Sequence, residues 1–122
     1  MKKRFTTSLL ILLATLTFQS CEEALETSLT DKKVTLLAPA NNITTSNTNQ
    51  TFYWETIDGA AEYQLQVVNP KFDSIAQLIT DTIINKNQFV IEMNGGDYQW
   101  RVKAINNSSS SQYSDAWNLA IQ

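Results

Sequence analysis

Few residues in this chain of 122 can do chemistry. It contains no histidine and one cysteine, Cys21. That composition removes histidine acid–base catalysis, histidine-bearing triads, Cys/His zinc centres and any intrachain disulfide. Three glycines leave no glycine-rich phosphate loop. Carboxylates remain. Glu55, Asp58 and Glu62 flank one turn, and Asp73 and Asp81 flank another. A glycosidase needs two carboxylates about 5–10 Å apart across a sugar. Glu55 and Asp58 could meet that distance, but no cleft-building insertion accompanies them, so they read as solvated loop acids. A calcium loop needs six to eight converging oxygens, and no dense Asp/Asn loop supplies them. Ser108–Ser111 lacks a base and an oxyanion donor, and reads as a mobile hairpin loop. The expectation is a non-enzymatic chain without a cofactor or metal.

The one cysteine has a telling position. Lys2, Lys3 and Arg4 precede a short apolar run, Leu9 to Phe18. The run is too short for about 30 Å of hydrocarbon, which takes ~20 residues. Basic flank, short apolar stretch and a small residue before a cut describe a secretory signal over residues 1–20. Leu16-Thr17-Phe18-Gln19-Ser20-Cys21 resembles a bacterial lipoprotein signal, which implies that Cys21 is lipidated and becomes the new N-terminus. Phe18 and Gln19 depart from the usual aliphatic and small residues of such signals. The resemblance implies an anchor in the membrane through several acyl chains, each buried CH₂ giving about 0.8 kcal/mol. Glu22 and Glu23 resemble a surface-export signal of one bacterial phylum, whereas in other Gram-negative bacteria an acidic residue there favours inner-membrane retention; an outer-membrane or surface address is the expectation, ahead of that alternative. Cleavage removes three bases and no acid, leaving six bases against twelve acids, a net charge of −6. Such a charge opposes nucleic-acid binding, which needs a basic footprint.

Residues 21–32 read as the lipidated cysteine and a flexible tether. From Lys33 to Gln122 the pattern has period two, the mark of half-buried strands. Val34, Leu36 and Ala38 share one side until Pro39; Asn41–Asn49 is polar loop. Phe52 and Trp54 face inward, Tyr53 and Glu55 outward. Tyr63, Leu65 and Val67 alternate with Gln64 and Gln66, and Asn69-Pro70 is expected to close that strand. Ser74–Ile84 is expected to hold a short strand and an exit loop. Phe89, Ile91 and Met93 then share a face, followed by a turn at Asn94–Asp97. Tyr98, Trp100, Val102 and Ala104 alternate with Gln99, Arg101 and Lys103; Trp117, Leu119 and Ile121 close the series. One helical turn is allowed in 56–62 or 71–79. The pattern predicts an all-β fold, a seven-stranded antiparallel β-sandwich.

The segment 33–122 resembles a fibronectin type III, immunoglobulin-like domain. Trp54, the run Tyr63-Gln64-Leu65-Gln66-Val67, and Gly96 to Asn106 followed by Tyr113-Ser114 carry the resemblance. It implies that the Tyr98 hydroxyl bonds backbone upstream of it, at a strand corner. Where immunoglobulin domains have a cysteine two residues later, this chain has Trp100. No Arg-Gly-Asp tripeptide is present, so integrin-style adhesion does not follow.

On this arrangement Gln64, Gln66, Gln99, Arg101, Lys103, Asn118 and Gln122 share one outer sheet face. Such a face is ordinary wet surface or a contact site for protein or sugar hydroxyls. Tyr53, Phe72 and Tyr113 are the aromatics free to stack on a sugar. Candidate contacts are therefore Tyr53, Tyr113, Gln64, Gln66, Arg101 and Lys103. Asp73-Ser74-Ile75 and Asp81-Thr82-Ile83 resemble a bacterial O-glycosylation triplet, making Ser74 and Thr82 candidate acceptors. The expected role is display of a binding module to a protein partner in the envelope. The alternative is a carbohydrate-binding lipoprotein accessory to glycan uptake.

Overall fold

Alternation sets the layers. In the computed structural model, which describes residues 26–122, the segments with clear period two are strands whose apolar side is buried or partly buried against the core. Cys21 and the leader lie outside the described residues. The strands are β1 (Leu36–Ala38), β2 (Ile43–Thr45), β3 (Asn49–Trp54), β4 (Glu62–Lys71), β5 (Ser74–Ile84), β6 (Gln88–Glu92), β7 (Gly96–Ile105) and β8 (Trp117–Ile121). They form two sheets, ordered β1-β3-β6 and β2-β8-β7-β4-β5. Between the sheets sit Phe52, Trp54, Tyr63, Leu65, Val67, Tyr98, Trp100, Val102, Leu119 and Ile121, all buried. Edge-to-face aromatic pairs lock this layer: Phe52 on Trp100 at 5.0 Å, and Trp54 on Tyr63 at 5.8 Å. The Trp54 and Trp100 indole N–H groups are buried without an acceptor among the described residues, which offsets part of that packing. The Tyr98 hydroxyl donates to the Asn94 carbonyl at 2.6 Å, the corner bond the resemblance implies.

Four details of the chain path differ from the sequence expectation. The described chain has eight strands, and one pair is parallel. The first strand is divided: Pro39 cannot continue a ladder, and Asn42 takes φ 63°. The β-branched Ile43–Thr45 then crosses to the other sheet and pairs parallel with β8, inside what reads as a loop. Secondly, β4 runs through Asn69-Pro70. Its pairing with β7 ends at Val68, so Pro70 has β5 alone as a ladder partner. A proline without an N–H is tolerated there. Thirdly, Ser74–Ile84 is one continuous edge strand of 11 residues. Register shifts opposite Val67/Val68 and Asn69/Pro70 place extra residues in β5, and these hide its period from the sequence. This strand takes up the 71–79 region, while 56–62 holds a hydrogen-bonded turn, Ala60 N to Ile57 O at 3.1 Å.

The fourth difference concerns residues 26–32, read from sequence as tether. Leu29 is completely buried in the core. Its amide donates to the Ser109 hydroxyl at 2.9 Å, and Asn106 Nδ2 donates to the Thr27 carbonyl at 2.7 Å and to the Gly59 carbonyl at 3.1 Å. Asn106 Oδ1 accepts the Ser108 and Ser109 amides at 3.1 and 2.8 Å. The supposedly mobile serine loop is thus the receiver of a docked N-terminal segment. Gly59 is required here: it sits at φ 89°, and a Cβ would lie 2.7 Å from the Thr27 Cβ.

Serines also finish the sheet. β8 pairs with β7 from Gly96 to Trp100. Beyond Trp100, the Ser114 hydroxyl accepts the Val102 amide at 3.0 Å and the Ser111 hydroxyl accepts the Ala104 amide at 2.8 Å. In return the Ser114 and Ser111 amides donate to the Val102 and Ala104 carbonyls, both at 2.8 Å. Side chains here substitute for a missing strand, so the Val102 and Ala104 amides keep partners beyond the end of β8.

Candidate interaction surface

The outer face of the five-stranded sheet collects most of the sequence candidates. Register fixes its rows. Ile83 on β5, Gln64 on β4 and Lys103 on β7 form one; Asp81, Gln66 and Arg101 the next; Leu78, Val68, Gln99 and Asn118 the third. Hydrogen bonds link neighbours across the face. Gln64 Nε2 donates to Asp81 at 2.7 Å, Arg101 Nε donates to Gln66 Oε1 at 2.9 Å, and Gln99 Nε2 donates to Asn118 Oδ1 at 2.8 Å.

Arg101 is the centre of the face. Its guanidinium lies 4.1 Å from the Phe72 ring centroid and 4.2 Å from that of Tyr113. Lys103 Nζ sits 4.9 Å from the Tyr113 ring. Phe72 arrives because β4 continues past Pro70 into the turn before β5, where the Phe72 amide donates to Gln99 Oε1 at 2.9 Å. Tyr113 arrives on the serine-bonded segment beside β7. Val68 points to this outer face by register and is nevertheless fully buried, so the surrounding side chains cover it. Each cation–π contact at such a half-exposed place contributes about 0.5–1 kcal/mol.

The face has an apolar flank. On edge strand β5, Ile75, Leu78 and Ile83 are each more than half exposed, at 52%, 55% and 53%. A concavity of about 520 Å³ opens at the far end of the face, lined in part by Asn42, Pro70, Lys71, Gln99 and Asn118.

Two sets of candidates fall elsewhere. Tyr53 stands on β3 in the three-stranded sheet, so it does not share a site with Tyr113. Alternation places Tyr53 outward, but it does not say from which sheet. Ser74 is exposed at the start of β5, whereas Thr82 is half-buried and paired with inward-facing Leu65. Sequence reasoning missed the pairing of Phe72 with Arg101 and the apolar flank; the β-branched and apolar residues of 75–84, interrupted only by Gln77 and Asp81, were the available signal. Among the described residues, no group of three His, Cys, Asp or Glu side chains is placed to hold a metal ion.

No protein-family model and no curated protein matches the chain. Solved structures do. The fibronectin type III domain of human collagen alpha-1(XX) chain is 11% identical with a TM-score of 0.53, over 70% of this chain and 82% of that one. An Fn3-like protein from Clostridium thermocellum is 16% identical with a TM-score of 0.51, over 73% and 88%. The fibronectin type III domain of human fibronectin type III domain containing protein 3 is 14% identical with a TM-score of 0.53, over 78% and 89%. At that level of identity the likeness is one of architecture, and the architecture is the fibronectin type III, immunoglobulin-like β-sandwich.

Proposed function

We propose that this protein is a non-catalytic interaction module of the cell envelope, held to a membrane through lipid on Cys21 and contacting a protein partner with the outer face of its five-stranded sheet. The observation that carries the reading is the Arg101 assembly. It is an ordered set of arginine and aromatic side chains at the middle of a flat face, flanked by exposed Leu78 and Ile83. Arginine and tyrosine in such central positions are the residue types that dominate binding energy in protein interfaces.

The docked N-terminal segment supports close anchoring. Four residues separate Cys21 from Glu26, so the reach is at most about 17 Å fully extended. On this reading the domain is held near the bilayer by its Gly59 and Asn106 end, with an outer-membrane, surface-facing address. The sugar-capture alternative is the weaker one, because the Tyr113 and Phe72 rings are stacked on Arg101 and Tyr53 stands on the other sheet.

In-cell chemical crosslinking of the intact lipoprotein, followed by purification from membranes, tests the reading. A discrete, stoichiometric adduct is expected. A solitary monomer under all crosslinking conditions would overturn it.

A further inference from the structure

Arg101 is charged and positioned, and among the described residues no carboxylate pairs with it. The Phe72 and Tyr113 rings hold the guanidinium of this half-exposed residue and Gln66 holds its Nε, while the two terminal amino groups take part in no hydrogen bond among the described residues. Those groups make a fork that matches a carboxylate. The acid in the same row, Asp81, lies two strands away and is turned to Gln64. Among the described residues one ion pair closer than 4 Å exists, Lys33 with Asp115 at 2.6 Å; Asp115 follows Tyr113 by two residues, and its carboxylate is taken by Lys33 rather than by Arg101 or Lys103. Lys103 adds a second cation over the same Tyr113 ring. Two cations are therefore gathered on one face of an acidic chain without a carboxylate between them. Gathering them costs repulsion, which an incoming anion relieves.

We propose that Arg101 and Lys103 bind carboxylate side chains of an acidic, partly apolar protein segment, with Leu78 and Ile83 receiving its apolar residues. This deepens the interaction-module reading and rests on it. Strand spacing of about 4.8 Å puts the apolar flank of β5 roughly 10 Å from Arg101, within one extended peptide's footprint. The two cation-bearing rings offer little stacking area to a sugar, so the observations favour a peptide carboxylate over a uronate. A preorganised guanidinium also loses little side-chain freedom on binding, the condition under which a surface charge contributes affinity.

The test uses the full chain, isotope-labelled, in an uncharged polyoxyethylene detergent, followed by NMR. Acetyl-Glu-Leu-Glu-Leu-Glu-amide is titrated beside its isostere acetyl-Gln-Leu-Gln-Leu-Gln-amide and a galacturonate trisaccharide. The acidic peptide is expected to move the Arg101 Nε–H, Lys103 and Tyr113 signals and to bind at least about tenfold more tightly than the amide peptide. Raising salt from 50 to 300 mM is expected to weaken it several-fold. Arg101→Gln is expected to abolish the preference for the acid. Lys103→Gln, whose side chain takes part in no hydrogen bond among the described residues, is expected to lower affinity several-fold with an unchanged spectrum elsewhere. Equal binding of the two peptides, shifts confined to another surface, or tighter binding of the trisaccharide would each overturn the proposal. A crosslinked adduct that persists in cells carrying Arg101→Gln and Lys103→Gln would remove this inference while leaving the interaction-module reading in place.

Discussion

Single residues divide here by what they exclude from water. Trp54 is completely buried against Tyr63. Trp54→Ala should cost about 3–5 kcal/mol through lost transfer energy and a cavity. Leu29 gives a sharper contrast. As part of a tether it would be dispensable; as a fully buried core residue, Leu29→Ala should cost about 2–4 kcal/mol. Urea denaturation of the full chain measures both. A Leu29→Ala midpoint equal to that of the parent would show that residues 26–32 do not belong to the folded domain. Asn106 fills its valences with Thr27, Gly59, Ser108 and Ser109, and no other side chain combines two donors and an acceptor in that space. Asn106→Ala strands these partners and should cost about 1–3 kcal/mol in the same assay.

At the scale of elements, nearby alternation was legible and distant pairing was not. Tyr63–Val67 and Tyr98–Ala104 declare their inward sides by period two, and the structure buries those sides. β2 did not declare itself. Three β-branched residues, too few to display a period, become a strand because β8 offers them an edge, a fact about a segment more than seventy residues away. β5 was half legible, since its bulges break the period that marks a strand. The candidate face follows the same rule. Gln64, Gln66, Arg101 and Lys103 come from two clear strands and were readable together. Phe72 was not, because its place depends on β4 outrunning Pro70. The serine segment beside β7 makes a testable prediction of its own. Ser114→Ala removes the acceptor of the Val102 amide, so hydrogen exchange at Val102 should accelerate by about tenfold or more, with stability lowered by about 1–2 kcal/mol. Unchanged exchange at Val102 would mean that another group satisfies that amide. On edge strand β5, Ile83→Lys should leave folding stability within about 0.5 kcal/mol, because the side chain is 53% exposed.

For the whole molecule, if Cys21 carries the proposed lipid, the short span to Glu26 makes anchoring and orientation one question. Cys21→Ala should move the protein from the membrane fraction to the soluble fraction and abolish incorporation of a clickable fatty acid. Persisting label in that variant would place the lipid elsewhere. On the proposed anchoring, a domain held within about 17 Å of the bilayer by its Gly59 and Asn106 end would present its sheet faces sideways, toward neighbours in the same membrane. Of those two faces, the one bearing Arg101 and Lys103 is the contact surface in this account, and the one bearing Tyr53 is the control. The most direct measurement places a photoreactive amino acid in living cells at Gln64 or at Tyr53. A protein adduct from Gln64 with none from Tyr53 is predicted; adducts from Tyr53 alone, or from neither position, would contradict the account.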